Sequence, residues 1–318
     1  MARKLGLALS SGAARGWAHV GVLRGLDEIG LKPDVIVGCS VGSIVGGAYL
    51  AGILDDVCVW ARELSPLSAF SQFAFAMRHG GLISAERAFA AFKEADRDIR
   101  SLDIPFAALA TDLATGDPVP IMHGSLLDAV RASSAIPIVF NAMRHDARWL
   151  VDGALADPMP VGVARSLGAE VVVGVDLTGV PRTLERFERG RAGLPTVVDR
   201  KDETSLTGLA APLAKLVDDT REYVDRQIAV ARARSRAQPQ LIETAIAAAD
   251  IFQMQLTAAR ARYEPPDLHL KPDMREASPT AFDRADEFIE EGRRAILGQE
   301  TRLRDLLQRA EGRTDAIA

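Results

Sequence analysis

The chain has 318 residues, of which 48% are hydrophobic and 25% are charged, and this composition is typical of a globular protein. Its formal net charge of −5 argues against a general nucleic-acid binder, which would usually be basic. The only two cysteines, Cys39 and Cys58, argue against a disulfide framework or a cysteine-rich metal site and favour a reducing compartment. The sequence has no apolar run long enough for a transmembrane helix and no signal peptide, so we expect a cytoplasmic protein.

The first fifty residues are predicted to alternate strands with helices. Residues 5–9 and 35–37 are short apolar runs that indicate buried strands, whereas residues 17–29 carry apolar side chains at helical spacing. Residues 44–50 continue the pattern with a second apolar helix. A strand, a helix and a strand over so short a span predict a βαβ unit and therefore a parallel sheet.

Further strands and helices are predicted in the next part of the chain. Apolar and β-branched runs indicate the strands, and helical spacing of apolar residues indicates the helices. In chain order they are a strand at 105–113, its hairpin partner at 119–122, a helix at 125–134, a strand at 149–153, a helix at 161–167 and a strand at 170–177.

The composition changes after residue 180. Residues 181–205 are dominated by Arg, Glu, Asp and Gly, which indicates a linker or a mobile loop. We expect the remainder, 206–318, to be a mainly helical region packed on the domain formed by residues 1–180. Within it, 206–262 is alanine-rich, 267–270 alternates like one more strand, and 280–311 has the pattern of one long amphipathic helix.

A phenylalanine-rich stretch, residues 60–92, holds nearly half of the eleven phenylalanines. One interpretation is that it forms ordinary helices packed on the sheet. The other is that its aromatic side chains form a lipid-facing cap over Ser40, a serine in the glycine-containing turn described next, with Gly80 and Gly81 as a hinge. The sequence is compatible with both.

The pentapeptide Gly-Cys-Ser-Val-Gly, residues 38–42, lies between a predicted strand and a predicted helix. This context is typical of a nucleophile elbow, in which flanking glycines allow a sharp turn that exposes the serine hydroxyl. Ser40 is therefore the candidate nucleophile for acyl transfer. The structural alternative is that Ser40 only caps the following helix.

Two kinds of general base are compatible with the sequence. None of the five histidines, His19, His79, His123, His145 and His269, lies in a recognisable catalytic context, although His269 is late enough in the chain for a Ser–His–Asp esterase. Asp152 follows a predicted strand and precedes Gly153, and it could accept the serine proton if burial raises its pKa. An Asp-Gly pair after a strand is otherwise only a turn.

The loop 11–16, Ser-Gly-Ala-Ala-Arg-Gly, follows the first strand directly. In a parallel sheet, the loops at the carboxyl ends of neighbouring strands share one crevice, so this loop should lie beside Ser40 and offer backbone N–H groups there. Nucleotide binding is the alternative, but the loop does not match G-x-G-x-x-G, and no G-x-x-x-x-G-K-[ST] loop is present.

The loop, the serine elbow and the Asp-Gly-Ala turn together resemble the patatin-like phospholipase family, and most of all its bacterial members. The segments 110–113 (Ala-Thr-Asp-Leu) and 131–137 (Arg-Ala-Ser-Ser-Ala-Ile-Pro) are also similar to that family's sequences. The resemblance covers residues 5–178. Residues 266–292 resemble the tail of the bacterial subgroup more loosely.

This resemblance implies an α/β fold, with a three-layer α/β/α domain over residues 1–180, a mostly parallel central sheet and a helical C-terminal extension. It implies a Ser–Asp dyad without histidine, in which Ser40 is the nucleophile and Asp152 the proton acceptor. The implied activity is hydrolysis of a carboxylic ester of a lipid, as by a phospholipase A or a lysophospholipase. A non-catalytic regulatory member of the family is the alternative.

The resemblance also implies that the loop supplies the oxyanion hole. Its donors would be the amides of Gly12, Ala13 and Ala14, while Arg15 anchors the loop or, alternatively, binds a headgroup. The family pattern is Gly-Gly-Gly-x-Arg-Gly, and here Ser11 and Ala13 replace two glycines, so a positive φ at either would be costly. We expect no metal and no cofactor, a lipid or phospholipid as substrate, contact with the membrane surface, and no nucleic acid.

Overall fold

The computed structural model describes residues 3–63, 92–137, 140–178, 241–274, 277 and 281–308. The central part of the phenylalanine-rich stretch, 64–91, and the predicted linker, 181–205, lie outside the described residues. The chain divides into two compact units, one formed by Met1–Val180 with Asp250–Ala318, the other by Pro181–Ala249. The C-terminal residues from Asp250 onward thus belong to the same unit as the N-terminal part.

One eight-stranded sheet forms the centre of the described structure. The neighbours β3, β2, β1, β7 and β8 are parallel, whereas β4 and β6 pair with β3 antiparallel and β5 pairs with β6 antiparallel. This confirms the mostly parallel sheet; the strand that the sequence did not reveal is β5. The strands are β1 (Leu5–Leu9), β2 (Val35–Cys39), β3 (Phe106–Asp112), β4 (Pro118–Ile121), β5 (Met143–His145), β6 (Arg148–Asp152), β7 (Val171–Val175) and β8 (Leu268–Leu270).

Within the described residues, the predicted helices appear in order with one correction, and the helix at Leu54–Glu63 was not predicted. The single long helix expected over 280–311 is wrong: the chain forms two helices, because the amide of Gln299 donates to the carbonyl oxygen of Ile296, three residues back, and so interrupts the four-residue hydrogen-bond pattern. The described helices are α1 (Trp17–Glu28), α2 (Val41–Ala51), α3 (Leu54–Glu63), α4 (Leu126–Ser133), α5 (Val161–Ser166), α6 (Leu241–Tyr263), α7 (Ala285–Leu297) and α8 (Glu300–Gln308).

Helices cover both faces of the sheet, which gives the expected three layers. The buried strands alternate their side chains between two cores: Leu7 and Ile36 pack into the larger one with α1, α2, α4 and α7, whereas Ala8 and Val37 pack into a smaller one with α5. Strands buried on both faces explain why these segments are continuously apolar rather than alternating. Among the described helices, none combines the length and apolar character that a bilayer-spanning segment requires.

The strands β2 and β6 lie end to end along the same edge of β3. Ala108 pairs with Gly38 of β2 and with β4, so β2 and β4 occupy opposite edges of β3. Ala110 pairs with Asp152 of β6 and also with β4, so β6 likewise lies opposite β4. The last residue of β6 therefore meets the chain where β2 ends, immediately before Ser40.

Candidate active site

Ser40 occupies a strained turn between β2 and α2. Its φ of 53° and ψ of −121° lie outside the regions that a serine usually adopts. Both flanking positions must be glycine, because neighbouring backbone atoms leave no room for a side chain. A Cβ on Gly38 would lie 2.4 Å from the carbonyl oxygen of Gly42, and a Cβ on Gly42 would lie 2.2 Å from the carbonyl oxygen of Leu9. Such strain at a non-glycine residue is typical of a functional position.

Two further serines hold the turn in place. The backbone N–H of Ser40 donates to Ser133 Oγ at 2.9 Å, and that hydroxyl donates to the carbonyl oxygen of Leu109 at 2.6 Å. The hydroxyl of Ser43 donates to the carbonyl oxygen of Ser40 at 2.6 Å. Sequence reasoning missed both positioning residues, although Ser133 lies in the segment 131–137 that carries part of the family resemblance.

The side chain of Ser40 is directed at Asp152 and does not cap α2. Its hydroxyl donates to Asp152 Oδ2 at 2.7 Å, and Asp152 Oδ1 accepts the backbone N–H of Ala154 at 2.8 Å. Asp152 is only 4% exposed. Burial raises its pKa to about 6, while the hydrogen bonds from Ala154 and Ser40 partly oppose that rise. At neutral pH the carboxylate is thus ionised and still able to accept a proton.

None of the four histidines in the described part of the chain bonds to Ser40 or Asp152. His19 is fully buried, with Nε2 2.7 Å from the carbonyl oxygen of Ser10, and burial lowers its pKa to about 4, so the ring is neutral. His269 lies on β8, separated from β2 by β1 and β7, and its Nε2 is 2.9 Å from Asp176 Oδ2. His79 lies outside the described residues.

The loop after β1 lies against the start of α2. A Cβ on Gly16 would lie 2.2 Å from Val41 Cγ2, so loop and helix are in close contact. Within the described ranges, the amides of Gly12, Ala13 and Ala14 donate to no protein acceptor. The loop thus brings three amides without an acceptor among the described residues close to the helix that follows Ser40.

The substitution of alanine for glycine in this loop has a conformational cost. Ala13 adopts a φ of 49°, in the left-handed region, whereas Ser11 is not among the residues with positive φ. The cost of a left-handed non-glycine residue is about 1–2 kcal/mol. The surrounding contacts must therefore hold Ala13 in this conformation.

Arg15 supplies such contacts from inside the protein. Its side chain is 3% exposed and pairs with Asp250 of α6, and its Nε donates to the carbonyl oxygen of Gly12 at 3.4 Å. Burial raises the pKa of Asp250, and the charge of Arg15 opposes that rise. The hydroxyl of Ser11 donates to Gln253 Oε1 at 2.7 Å, also on α6. Sequence reasoning did not identify these partners, because they are far away along the chain.

A model of the patatin-like phospholipase family matches residues 7–165, half of the chain. The protein belongs to the patatin-like phospholipase family. The match contains the loop, Ser40 and Asp152, whereas His269, the alternative candidate for the base, lies outside it.

Relatives from bacteria and animals are similar to this chain over a little more than half of its length. An NTE family protein of Mycobacterium tuberculosis is 37% identical over 178 residues, which is 55% of this chain and 49% of that protein. A patatin-like phospholipase domain-containing protein of Caenorhabditis elegans is 32% identical over 188 residues, 56% of this chain and 14% of that protein. The chain thus spans about half the length of the mycobacterial relative.

Two further similarities are a mouse protein and a solved bacterial structure. Patatin-like phospholipase domain-containing protein 6 of Mus musculus is 29% identical over 186 residues, 54% of this chain and 13% of that protein. Among solved structures, VipD from Legionella pneumophila is similar with a TM-score of 0.37 and 12% identity, over 96% of this chain and 79% of that one.

Proposed function

We propose that this patatin-like protein is a serine hydrolase that cleaves carboxylic esters of lipids, as a phospholipase A or lysophospholipase does. The observation that carries the proposal is the 2.7 Å hydrogen bond from Ser40 Oγ to the buried carboxylate of Asp152. A strained serine next to a carboxylate of raised pKa is the arrangement that nucleophilic catalysis requires. Membership of the family supports a lipid as the acyl donor.

In the first half-reaction, Ser40 Oγ attacks the carbonyl carbon of the ester while Asp152 accepts the hydroxyl proton. The tetrahedral intermediate collapses, the ester C–O bond breaks, and the protonated Asp152 returns the proton to the departing alkoxide. In the second half-reaction, Asp152 takes a proton from water, which attacks the acyl-enzyme. The fatty acid leaves and Ser40 Oγ recovers its proton, so the enzyme is unchanged.

The negative charge of each tetrahedral intermediate requires hydrogen-bond donors beside Ser40. We assign this task to the amides of Gly12, Ala13 and Ala14, assisted by the N-terminus of α2, whose backbone dipoles favour negative charge. Arg15 anchors the loop through Asp250 and Gly12, because its buried guanidinium is already occupied by these partners. Loss of one oxyanion donor typically costs about 10²–10³-fold in kcat.

The proposed dyad is tested by steady-state kinetics on one soluble ester. Ser40→Ala and Asp152→Asn should each lower kcat by orders of magnitude, and the double variant should be no slower than Ser40→Ala, because the two residues act as a unit. His19→Ala, His79→Ala and His269→Ala are the matched controls and should retain substantial activity. Near-normal turnover by Asp152→Asn, together with a dead histidine variant, would identify a Ser–His–Asp esterase instead.

The substrate class is tested separately with a panel of phospholipids and lysophospholipids. We expect wild-type protein to release fatty acid, detected by mass spectrometry, and Ser40→Ala to release none. A fluorophosphonate should also add once to wild-type protein and not to Ser40→Ala. Wild-type protein that neither turns over an ester nor takes up the probe would identify a non-catalytic, regulatory member of the family.

A further inference from the structure

Three side chains with no part in the proposed reaction converge near the turn between β5 and β6. They are His123, His145 and Asp146, and one possible ligand atom from each lies within 4.8 Å of the others. Nε2 of His123 is 3.1 Å from Asp146 Oδ2, and Nε2 of His145 is 3.6 Å from the same oxygen. The two imidazole centroids are 5.1 Å apart.

The backbone brings these residues together from two separate segments. His145 ends β5, and Asp146 and Ala147 form the two-residue turn to β6, with φ values of 46° and 63° that are typical of a type I′ hairpin. His123 precedes Gly124. A Cβ built on Gly124 would lie 3.8 Å from Cε1 of His145, so the segment of His123 packs against that of His145. Because the two segments are far apart in the sequence, spacing alone suggested no metal site.

We propose that His123, His145 and Asp146 bind a divalent transition-metal ion of the zinc class. Zinc bonds to nitrogen and oxygen ligands are about 2.0–2.2 Å long and roughly tetrahedral, which places ligand atoms about 3.3 Å apart. The two observed separations, 3.1 and 3.6 Å, lie on either side of that value. Two imidazoles and one carboxylate favour zinc over calcium or magnesium, which prefer oxygen ligands.

Hydrogen bonding alone accounts for only part of this arrangement. The 3.1 Å separation allows His123 to donate to Asp146, but 3.6 Å is too long for a hydrogen bond from His145. The second imidazole nevertheless presents its Nε2 to the same oxygen. Of the two arginines on the hairpin, Arg144 and Arg148, the second is 3.9 Å from Asp112 Oδ2 and is thus partly neutralised there.

The site lies at the far end of β6 from Asp152. Asp152 lies six positions after Asp146, and at about 3.3 Å per residue the ion would be roughly 20 Å from the reaction. Its ligands stand at the starts of two elements that serve the active site: α4, which ends at Ser133, and β6, which ends at Asp152. The ion would therefore clamp these two segments together and stabilise the fold without contacting substrate.

The test uses the full-length chain without a histidine tag, stripped with a chelator. Isothermal titration with zinc chloride should show one ion per chain, and zinc should raise Tm, because a ligand that binds only the folded state stabilises it. His123→Ala, His145→Ala and Asp146→Asn should each weaken binding at least about tenfold. Asparagine also tolerates the left-handed turn, so Asp146→Asn should fold even if the histidine variants do not.

The controls are His269→Ala and His79→Ala, which remove histidines elsewhere and should bind zinc as wild type does. Cobalt(II) should give a visible absorption spectrum in wild-type protein and in the controls, and a much weaker one in Asp146→Asn at the same cobalt concentration. Calcium and magnesium should not compete. Failure of wild-type protein to bind zinc, or binding that survives all three ligand substitutions, would overturn the proposal. Esterase activity of Ser40 is measured in parallel and does not bear on this result.

Discussion

At the scale of single residues, the site depends on one buried carboxylate. Asp152 is 4% exposed, and its carboxyl group accepts only two hydrogen bonds in the described structure, from Ser40 and Ala154. Desolvation outweighs these bonds, so its pKa rises to about 6 from the ordinary value near 4. The same burial that makes the group a better base also limits the pH range in which it can act.

We predict that kcat/KM on a soluble ester falls as pH drops below about 6, because Asp152 must be ionised to accept the serine proton. A rate profile from acidic to neutral pH measures this. An exposed aspartate would place the fall near pH 4 instead, and that result would contradict the burial argument.

The contribution of Asp152 to the stability of the folded state should change with pH in the opposite direction to its contribution to activity. A carboxyl group whose folded pKa is raised destabilises the folded state as pH rises from about 4 to about 6, here by on the order of 3 kcal/mol. Asp152→Asn has no carboxyl group to ionise at this position. As pH rises over that range, its Tm should therefore increase relative to the Tm of wild type.

At the scale of elements, two glycines determine how α7 packs on α1. A Cβ on Gly21 would lie 1.8 Å from the carbonyl oxygen of Ile289, and a Cβ on Gly292 would lie 1.9 Å from the carbonyl oxygen of Ala18. The backbones of the two helices thus cross with no room for a methyl group. This contact fixes the C-terminal helix α7 against the larger core of the sheet.

We predict that Gly21→Ala lowers the free energy of unfolding by about 1–3 kcal/mol, because the two helices must separate to admit the methyl group. Chemical denaturation of the full chain measures it. Gly298→Ala is the control, since its nearest atoms would be at 3.3 and 3.7 Å, and its effect should be much smaller. Equal effects at the two positions would mean that helix propensity, not the crossing, decides the outcome.

At the scale of the whole molecule, the chain beyond residue 249 completes the site that the first 180 residues contain. The C-terminal part of α6 pairs Asp250 with Arg15 and Gln253 with Ser11, and Arg260 donates to the carbonyl oxygen of Ala156 at 2.9 Å. Next in the chain, β8 pairs with β7 and extends the sheet. The family match ends at residue 165, so these contacts come from beyond the matched region.

We predict that Asp250→Ala lowers stability by about 3–5 kcal/mol, because it leaves the buried guanidinium of Arg15 without its partner. Activity should fall mainly in kcat, since the loop amides lose their fixed position. Asp55→Ala, which breaks the exposed pair with Arg24, is the control and should cost less than about 1 kcal/mol. Wild-type kcat in a folded Asp250→Ala protein would show that Arg15 does not anchor the loop.

Much of the architecture was predictable because it depends on local patterns. The apolar runs of β1, β2 and β7 and the helical spacing of α1 report burial and periodicity directly, and the structure confirms them. The short strand β5 was not predictable, because Met-Arg-His has no pattern that marks a strand, and its pairing with β6 depends on the hairpin turn between them. The break at Gly298 was missed because the amphipathic pattern continues across it.

By itself, the sequence determined the elbow around Ser40, the small-residue loop before α1 and the parallel sheet that brings them to one edge. The tertiary structure determined which distant residues contact the elbow and the loop. Asp152 reaches Ser40 because β6 lies end to end with β2 along β3, and Asp250 reaches Arg15 from 235 residues away. The physical reason is that local spacing encodes the conformation and burial of a segment, whereas contacts between distant segments depend on which strand edges and helix faces pair, and such pairings leave no periodic signal.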